Sequence, residues 1–191
     1  MGFEVAEAQP LQTESTVLVP SAAKATRLEC AISDEHARTG SGALAYSGTT
    51  SNGAGGTCQL YRVGLAIRRD TKLGYWINPD QHDGRFVAVD LHCSDGMWLH
   101  DVPALDQRGK GMDAKSGHGG AIPLHGWSEI RCQIGTWLDG KMVDAIAVRY
   151  EHPSGTGPLS GHIDDLLITN GSLDLPQPEL GKPQQPSAAR R

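Results

Sequence analysis

The sequence predicts an all-β domain, two antiparallel sheets packed as a jelly-roll sandwich, on three observations. The chain carries 24 glycines and 11 prolines against only 38% apolar residues, a balance that suits many short strands joined by turns. No segment sustains the i, i+3, i+4, i+7 apolar stripe of a long amphipathic helix, so no helix beyond about three turns is expected. Several stretches instead alternate, most clearly residues 85–93, where Val87, Val89, Leu91 and Cys93 share one face and Ala88, Asp90 and His92 the other.

In chain order, residues 10–25 are rich in Ser, Thr, Ala and Pro around one apolar run, Val17-Leu18-Val19, and read as an extended loop or edge strand. Residues 26–33 alternate with Leu28, Cys30 and Ile32 on one face and Glu29 pointing outward. The turn Thr39-Gly40-Ser41-Gly42 feeds a strand over 43–48, and residues 49–56 are too rich in Gly and Ser to form an element. Strands follow over 57–64 and 72–77, the second ended at Pro79. After the strand over 85–93, Asp95-Gly96 turns the chain. Residues 100–125 form a long irregular excursion of the kind that is functional or mobile. Strands resume over 127–134 and 142–150, separated by a turn at 137–141, and the last runs from Gly161 to Thr169. Residues 1–170 therefore make one sandwich domain, and the Pro- and Gln-rich residues 171–191 a linker or disordered tail.

A formal charge of −5 without a basic stripe excludes nucleic acid and an anionic membrane as partners. No apolar run reaches the roughly 18 residues of a membrane span, and the N-terminus lacks the order of a signal peptide. The chain reads as a soluble piece of a longer, secreted polypeptide. Cys30, Cys58, Cys93 and Cys132 form no Cys-x-x-Cys pair, which argues against structural zinc. Buried thiols are the default; in a secreted chain Cys93 with Cys132 is the preferred disulfide.

Two groups of side chains point to chemistry. Asp164 and Asp165 interrupt an apolar strand, a costly placement unless hydrogen bonds or a cation neutralise them. With Glu4 from the other chain end they offer an oxygen-rich site suited to calcium, the alternative being that they face solvent. Trp76, Asp90 and His92, continued by Arg131 and Gln133, offer an aromatic plane beside polar groups, the combination a sugar needs. The competing reading packs Trp76 beneath the 100–125 excursion and pairs Asp90 with Arg131. Catalysis by Asp90 with His92, or Asp101 with Asp106, is the enzymatic alternative, a small jelly-roll lyase or glycosidase. Trp98 and Trp137 read as loop anchors.

Phe3-Glu4, the run from Gly40 to Gly48, Gly74-Tyr75-Trp76-Ile77-Asn78-Pro79 and the stretch from Val87 to Gly96 carry a resemblance, joined by Asp106-Gln107-Arg108-Gly109, Trp127 and Gly161-His162-Ile163-Asp164-Asp165. In that order they resemble the galactose-binding-like β-sandwich modules attached to bacterial glycoside hydrolases, in particular the accessory module of actinobacterial α-mannosidases of glycoside hydrolase family 92. The resemblance covers roughly residues 3–169. It departs where Pro10 is followed by Leu11-Gln12 in place of an aromatic residue. It implies a non-catalytic carbohydrate-binding or accessory module, extracellular or periplasmic, partnered by carbohydrate or by docking on a catalytic glycosidase domain. It also implies a structural calcium held by Glu4, the Thr39–Ser41 turn with Ser41, and Asp164 or Asp165.

Overall fold

The alternating segments become strands because each can bury one face and leave the other to water or to a covering loop. The computed structural model describes residues 14–16, 27–50, 55–171 and 173. Among them are β1 (Glu14–Thr16), β2 (Arg27–Ser33), β3 (Ala43–Thr50), β4 (Gly55–Ala66), β5 (Thr71–Pro79), β6 (Val87–Cys93), β7 (Ser128–Cys132), β8 (Met142–Glu151) and β9 (Gly157–Asn170). Two antiparallel sheets result, one ordered β1-β4-β8-β6 and the other β2-β3-β9-β5-β7. Only β2 and β3 are consecutive within a sheet; every other connection crosses to the opposite sheet, as a jelly-roll sandwich requires. The expected all-β sandwich is what the chain forms. The lone α-helix among the described residues, α1 (Gly135–Leu138), is a single turn that leads into the turn expected at 137–141. The Gly- and Ser-rich 49–56 stretch is shorter than expected, since β3 continues to Thr50 and β4 begins at Gly55. Val17-Leu18-Val19 lies outside the described residues.

The inward faces meet in one core. Leu44, Tyr46, Leu73, Tyr75, Ile77, Ile130 and Ile163 from the five-stranded sheet interdigitate with Leu60, Val87, Val89, Leu91, Val148 and Tyr150 from the other. All four cysteines are buried free thiols. The pair in hydrogen-bond contact is Cys30 with Cys58, an interaction that lowers the Cys58 thiol, and not the preferred Cys93 with Cys132.

The excursion after β6 bridges an edge of one sheet to an edge of the other, because β6 and β7 each close their sheet. It is no mobile flap. Leu99, Ala104, Met112 and Ile122 are buried in the core, and the His118 ring donates from Nε2 to the Val87 carbonyl at 2.9 Å. Asp106 accepts the backbone N–H groups of Arg108 and Lys110, each at 2.8 Å, and the Arg108 guanidinium, which fixes the turn at its tip.

Close packing at Gly161 generates a test. A Cβ there would stand 2.2 Å from the buried Tyr46 hydroxyl and 2.6 Å from the Asn78 carbonyl. Gly161→Ala is expected to destabilise the fold by about 1–3 kcal/mol, read as a lower urea midpoint. A second test follows from His118. Burial holds its imidazole below the ordinary value of 6.5, so the unfolded chain takes up a proton that the folded chain resists. This group's contribution is intact above that value and is lost as pH falls below it. The urea midpoint should drop between about pH 7.5 and about pH 5.5, and drop less in His118→Asn.

Candidate functional site

The two carboxylates of β9 occupy a bulge. Trp76 of β5 pairs with Asp164 while Gly74 pairs with Leu167, so β9 carries one residue more than its partner, and Asp165 takes a left-handed φ of 51°. The extra residue lets two consecutive side chains reach the same loop. Both are buried, at 1% and 3% exposure, which rules out the solvent-facing alternative. Asp164 Oδ2 accepts the N–H of Arg38 at 2.8 Å and of Thr39 at 3.2 Å, and its Oδ1 accepts the N–H of Asp165 at 2.7 Å. Asp165 accepts the Arg38 guanidinium at 2.6 Å and the Thr39 hydroxyl at 2.5 Å. Burial is the main cause that raises the Asp164 carboxyl, with the Asp165 charge adding to it, while the three N–H donors pull it down.

The described residues of this pair do not fit a bare calcium ion, because all four carboxylate oxygens already face donors and Arg38 supplies the positive charge. The Arg38–Thr39 segment offers N–H groups where a calcium site needs carbonyl oxygens. Ser41 is exposed beyond it, and Glu4 lies outside the described residues.

The surface expected from Trp76, Asp90, His92, Arg131 and Gln133 divides between the two sheets. Trp76 lies on β5 and Asp90 and His92 on β6, strands of opposite sheets, because the connection between them crosses the sandwich. Their outward faces therefore look in opposite directions. Arg38 covers the Trp76 ring at 3.7 Å, and the indole nitrogen is buried with no hydrogen-bond partner. The cover is the β2–β3 loop and not the 100–125 excursion. Asp90 and Arg131 do not pair with each other: Arg131 pairs with Glu129, two residues away on β7.

Asp90 is instead the buried partner of a histidine that sequence reasoning missed. The Asp95-Gly96 turn, closed by the Cys93 N–H on the Met97 carbonyl at 2.8 Å, returns the chain so that Trp98 bridges His92. Trp98 lies between two imidazoles, 4.6 Å from His92 and 5.9 Å from His100, centroid to centroid. Each imidazole is oriented at Nδ1 by a carboxylate, His92 by Asp144 and His100 by Asp90, both at 2.6 Å. Asp101 caps the Trp98 N–H at 2.8 Å through Oδ2 and stands 3.6 Å from His100 Nε2 through Oδ1, while Asp106 is buried in its turn.

Arg131 and Gln133 stand on the outward face of the β7 edge, where register places Arg131 across from Gly74 of β5. Gln107 extends this sheet beyond β7: its N–H donates to the Arg131 carbonyl at 2.9 Å, its side-chain oxygen accepts the Arg131 N–H at 2.7 Å, and its side-chain nitrogen donates to the Glu129 carbonyl at 2.7 Å. Beside this edge opens a cavity of about 420 Å³ lined by Lys72, Gln107, Arg131, Gln133, Thr136 and Trp137. Its floor includes Cys132, whose thiol burial pushes up to about 12, which makes it an inert wall. The volume falls within the range of small-ligand sites, and the lining joins one indole to amide, hydroxyl and cationic groups. Trp137 reaches the cavity because α1 follows β7 directly.

No protein-family model and no curated protein matches the sequence. Among solved structures, the chain is similar to the glycoside hydrolase domain of Endo-D from Streptococcus pneumoniae R6, with a TM-score of 0.53 and 16% identity over 84% of this chain and 22% of that one. It is also similar to a structure described as carbohydrate-binding modules from the β-sandwich superfamily, with a TM-score of 0.54 and 14% identity over 84% of this chain and 57% of that one. The chain thus spans well under two thirds of either structure. At these identities the likeness is one of fold, and it agrees with the two-sheet sandwich.

The carboxylate pair gives a test of its counter-ion. Arg38 and Asp165 have side chains only 4% and 2% exposed, and removal of one partner from a buried pair costs about 3–5 kcal/mol. Arg38→Ala should lower the melting temperature by roughly 10 °C, while a chelator should leave the wild-type melt unchanged. A chelator-sensitive melt restored by calcium would instead assign these carboxylates, with Glu4, to a metal.

Proposed function

We propose that the chain is a carbohydrate-binding module and that the sugar occupies the cavity beside β7. The observation that carries this reading is the cavity's composition. An indole, Trp137, can stack on the C–H face of a pyranose, while Gln133, Thr136, Lys72 and Arg131 approach from the sides to meet its hydroxyls. The sandwich is also the scaffold of the carbohydrate-binding modules to which the chain is similar, which supports the reading by analogy of fold. The likeness to a glycoside hydrolase domain and the family 92 motifs support a role as an accessory of a secreted glycosidase. A structural calcium shared by Glu4 with Asp164 or Asp165 is no part of this proposal, because Arg38 and the surrounding N–H and hydroxyl donors already neutralise the pair.

One observation favours a second reading. A buried carboxylate that orients a half-buried imidazole, as Asp90 does His100, is the arrangement of a general base. In that case the partner of Asp90 in chemistry is His100 rather than His92, the substrate binds on the β6 face and not at the cavity, and His100→Ala abolishes its turnover.

Binding is tested on a glycan array followed by titration with the best ligand. Gln133→Ala and Arg131→Ala, both on the exposed sheet edge, are expected to weaken binding about tenfold each, and Trp137→Ala more. Trp76→Ala should leave affinity unchanged and lower stability, since its ring already lies under Arg38. Affinity that depends on Trp76 but not on Gln133 or Arg131 would move the site to the centre of the sheet and overturn the proposal.

A further inference from the structure

A second cluster stands apart from the cavity, where the 3-10 turn His82–Phe86 meets the turn between β8 and β9. His82, Asp83 and His152 each present a ligand atom there, all within 4.8 Å of one another. Asp83 Oδ1 is central, 3.3 Å from His82 Nδ1 and 4.0 Å from His152 Nε2. Ligands held at the 2.0–2.2 Å of a tetrahedral zinc site stand about 3.3 Å apart, so the His82–Asp83 pair already has that separation, and the other two pairs, within 4.8 Å, close to it by side-chain rotation.

We propose that His82, Asp83 and His152 bind a borderline divalent transition metal of the zinc class. Two imidazoles and one carboxylate suit zinc, nickel or copper; calcium and magnesium prefer all-oxygen shells. Two of the ligand positions are held by packing. Gly84, in the middle of the 3-10 turn, accepts the Tyr46 hydroxyl on its carbonyl at 3.0 Å, and a Cβ on it would stand 2.4 Å from the Ser160 carbonyl, so the turn is pressed onto β9. Phe86 packs against His152, ring centroids 3.7 Å apart and planes tilted by 50°, and fixes that ring. The Ser154 N–H donates to His152 Nδ1 at 3.0 Å, which places the ring's own proton on Nε2, toward Asp83. A metal at Nε2 takes the place of that proton, the displaced proton returns to Nδ1, and the exposed Ser154 contact opens. Three protein ligands leave at least one coordination position to water.

The experiment is calorimetric titration of the untagged chain with zinc chloride, repeated on His82→Ala, Asp83→Asn and His152→Ala, with His125→Ala as the control. His82 and His125 are both exposed, so their replacement leaves the fold intact. One-to-one saturable binding is expected, weakened at least about tenfold in each of the three variants and unchanged in the control. Zinc at saturation should also raise the melting temperature of the wild type, because the ion ties two turns of the folded state together, and should do so much less in His82→Ala. The cobalt-loaded chain should show visible bands of nitrogen and oxygen ligation that His82→Ala loses. No saturable binding up to about 1 mM zinc, or equal affinity in the wild type and all three variants, overturns the proposal. Neither outcome bears on the sugar site, which shares no residue with this cluster.

Discussion

Burial of two adjacent carboxylates in the middle strand of the five-stranded sheet is the constraint on which the rest of that face depends. A carboxylate in such a place must find donors, and two in sequence must find them on the same side. The bulge at Asp165 turns both toward the β2–β3 loop, and the loop answers with two backbone N–H groups, a hydroxyl and the Arg38 guanidinium. Once Arg38 is committed to Asp165, its plane comes to rest on Trp76. The sheet is thereby covered at Trp76, and the cavity described above lies toward the β7 edge.

The opposite sheet solves a different problem with the same segment of chain. β6 and β7 are consecutive, yet each is the edge of its own sheet, so the excursion between them must cross the open side of the sandwich. Edge strands left bare invite association with other chains. The excursion covers them: Trp98 folds back on β6, and Gln107 caps the β7 edge with one backbone bond to Arg131 and two from its side-chain amide. Both polar clusters with chemical capacity, the dyads around Trp98 and the cavity around Gln133, arise where this segment meets an edge.

Much of the fold was legible, and particular residues show why some of the site was not. Alternation named the inward and outward faces of β6 correctly, and the Asp95-Gly96 turn was visible as a turn. Its consequence, that Trp98 and His100 return beside His92 and Asp90, needed one further step: a tight turn after a strand sets the next residues antiparallel to it. Alternation cannot say to which sheet a strand belongs, and for that reason Trp76 was grouped with Asp90 although the sandwich lies between them. The bulge was hidden because a non-glycine residue at positive φ is uncommon and leaves no mark in sequence. Arg38 escaped notice in a loop whose glycines drew the reading toward backbone carbonyls. The role of Trp137 depends on a single helical turn, too short to leave a periodic signal.

Where the indoles lie also bears on the kind of sugar this surface can take. A flat, crystalline polysaccharide is met by a row of coplanar aromatic rings on an open face, and the described residues present no such row. Trp76 is capped by Arg38, Trp98 is flanked by two imidazoles, and among the described residues the large apolar side chains that stand exposed are Leu105 and Met142. Trp137 faces a concavity, and it does so among side chains that demand hydroxyl partners. One ring can stack on one sugar, and a space of about 420 Å³ holds a short segment rather than a sheet of chains. On the sugar-binding reading, recognition then rests on the hydroxyl pattern of one or two residues at a soluble chain or chain end. The affinity of such a site is modest because most of its polar groups exchange water for sugar at nearly equal free energy, and attachment to a larger polypeptide would raise it through effective concentration rather than through more contacts.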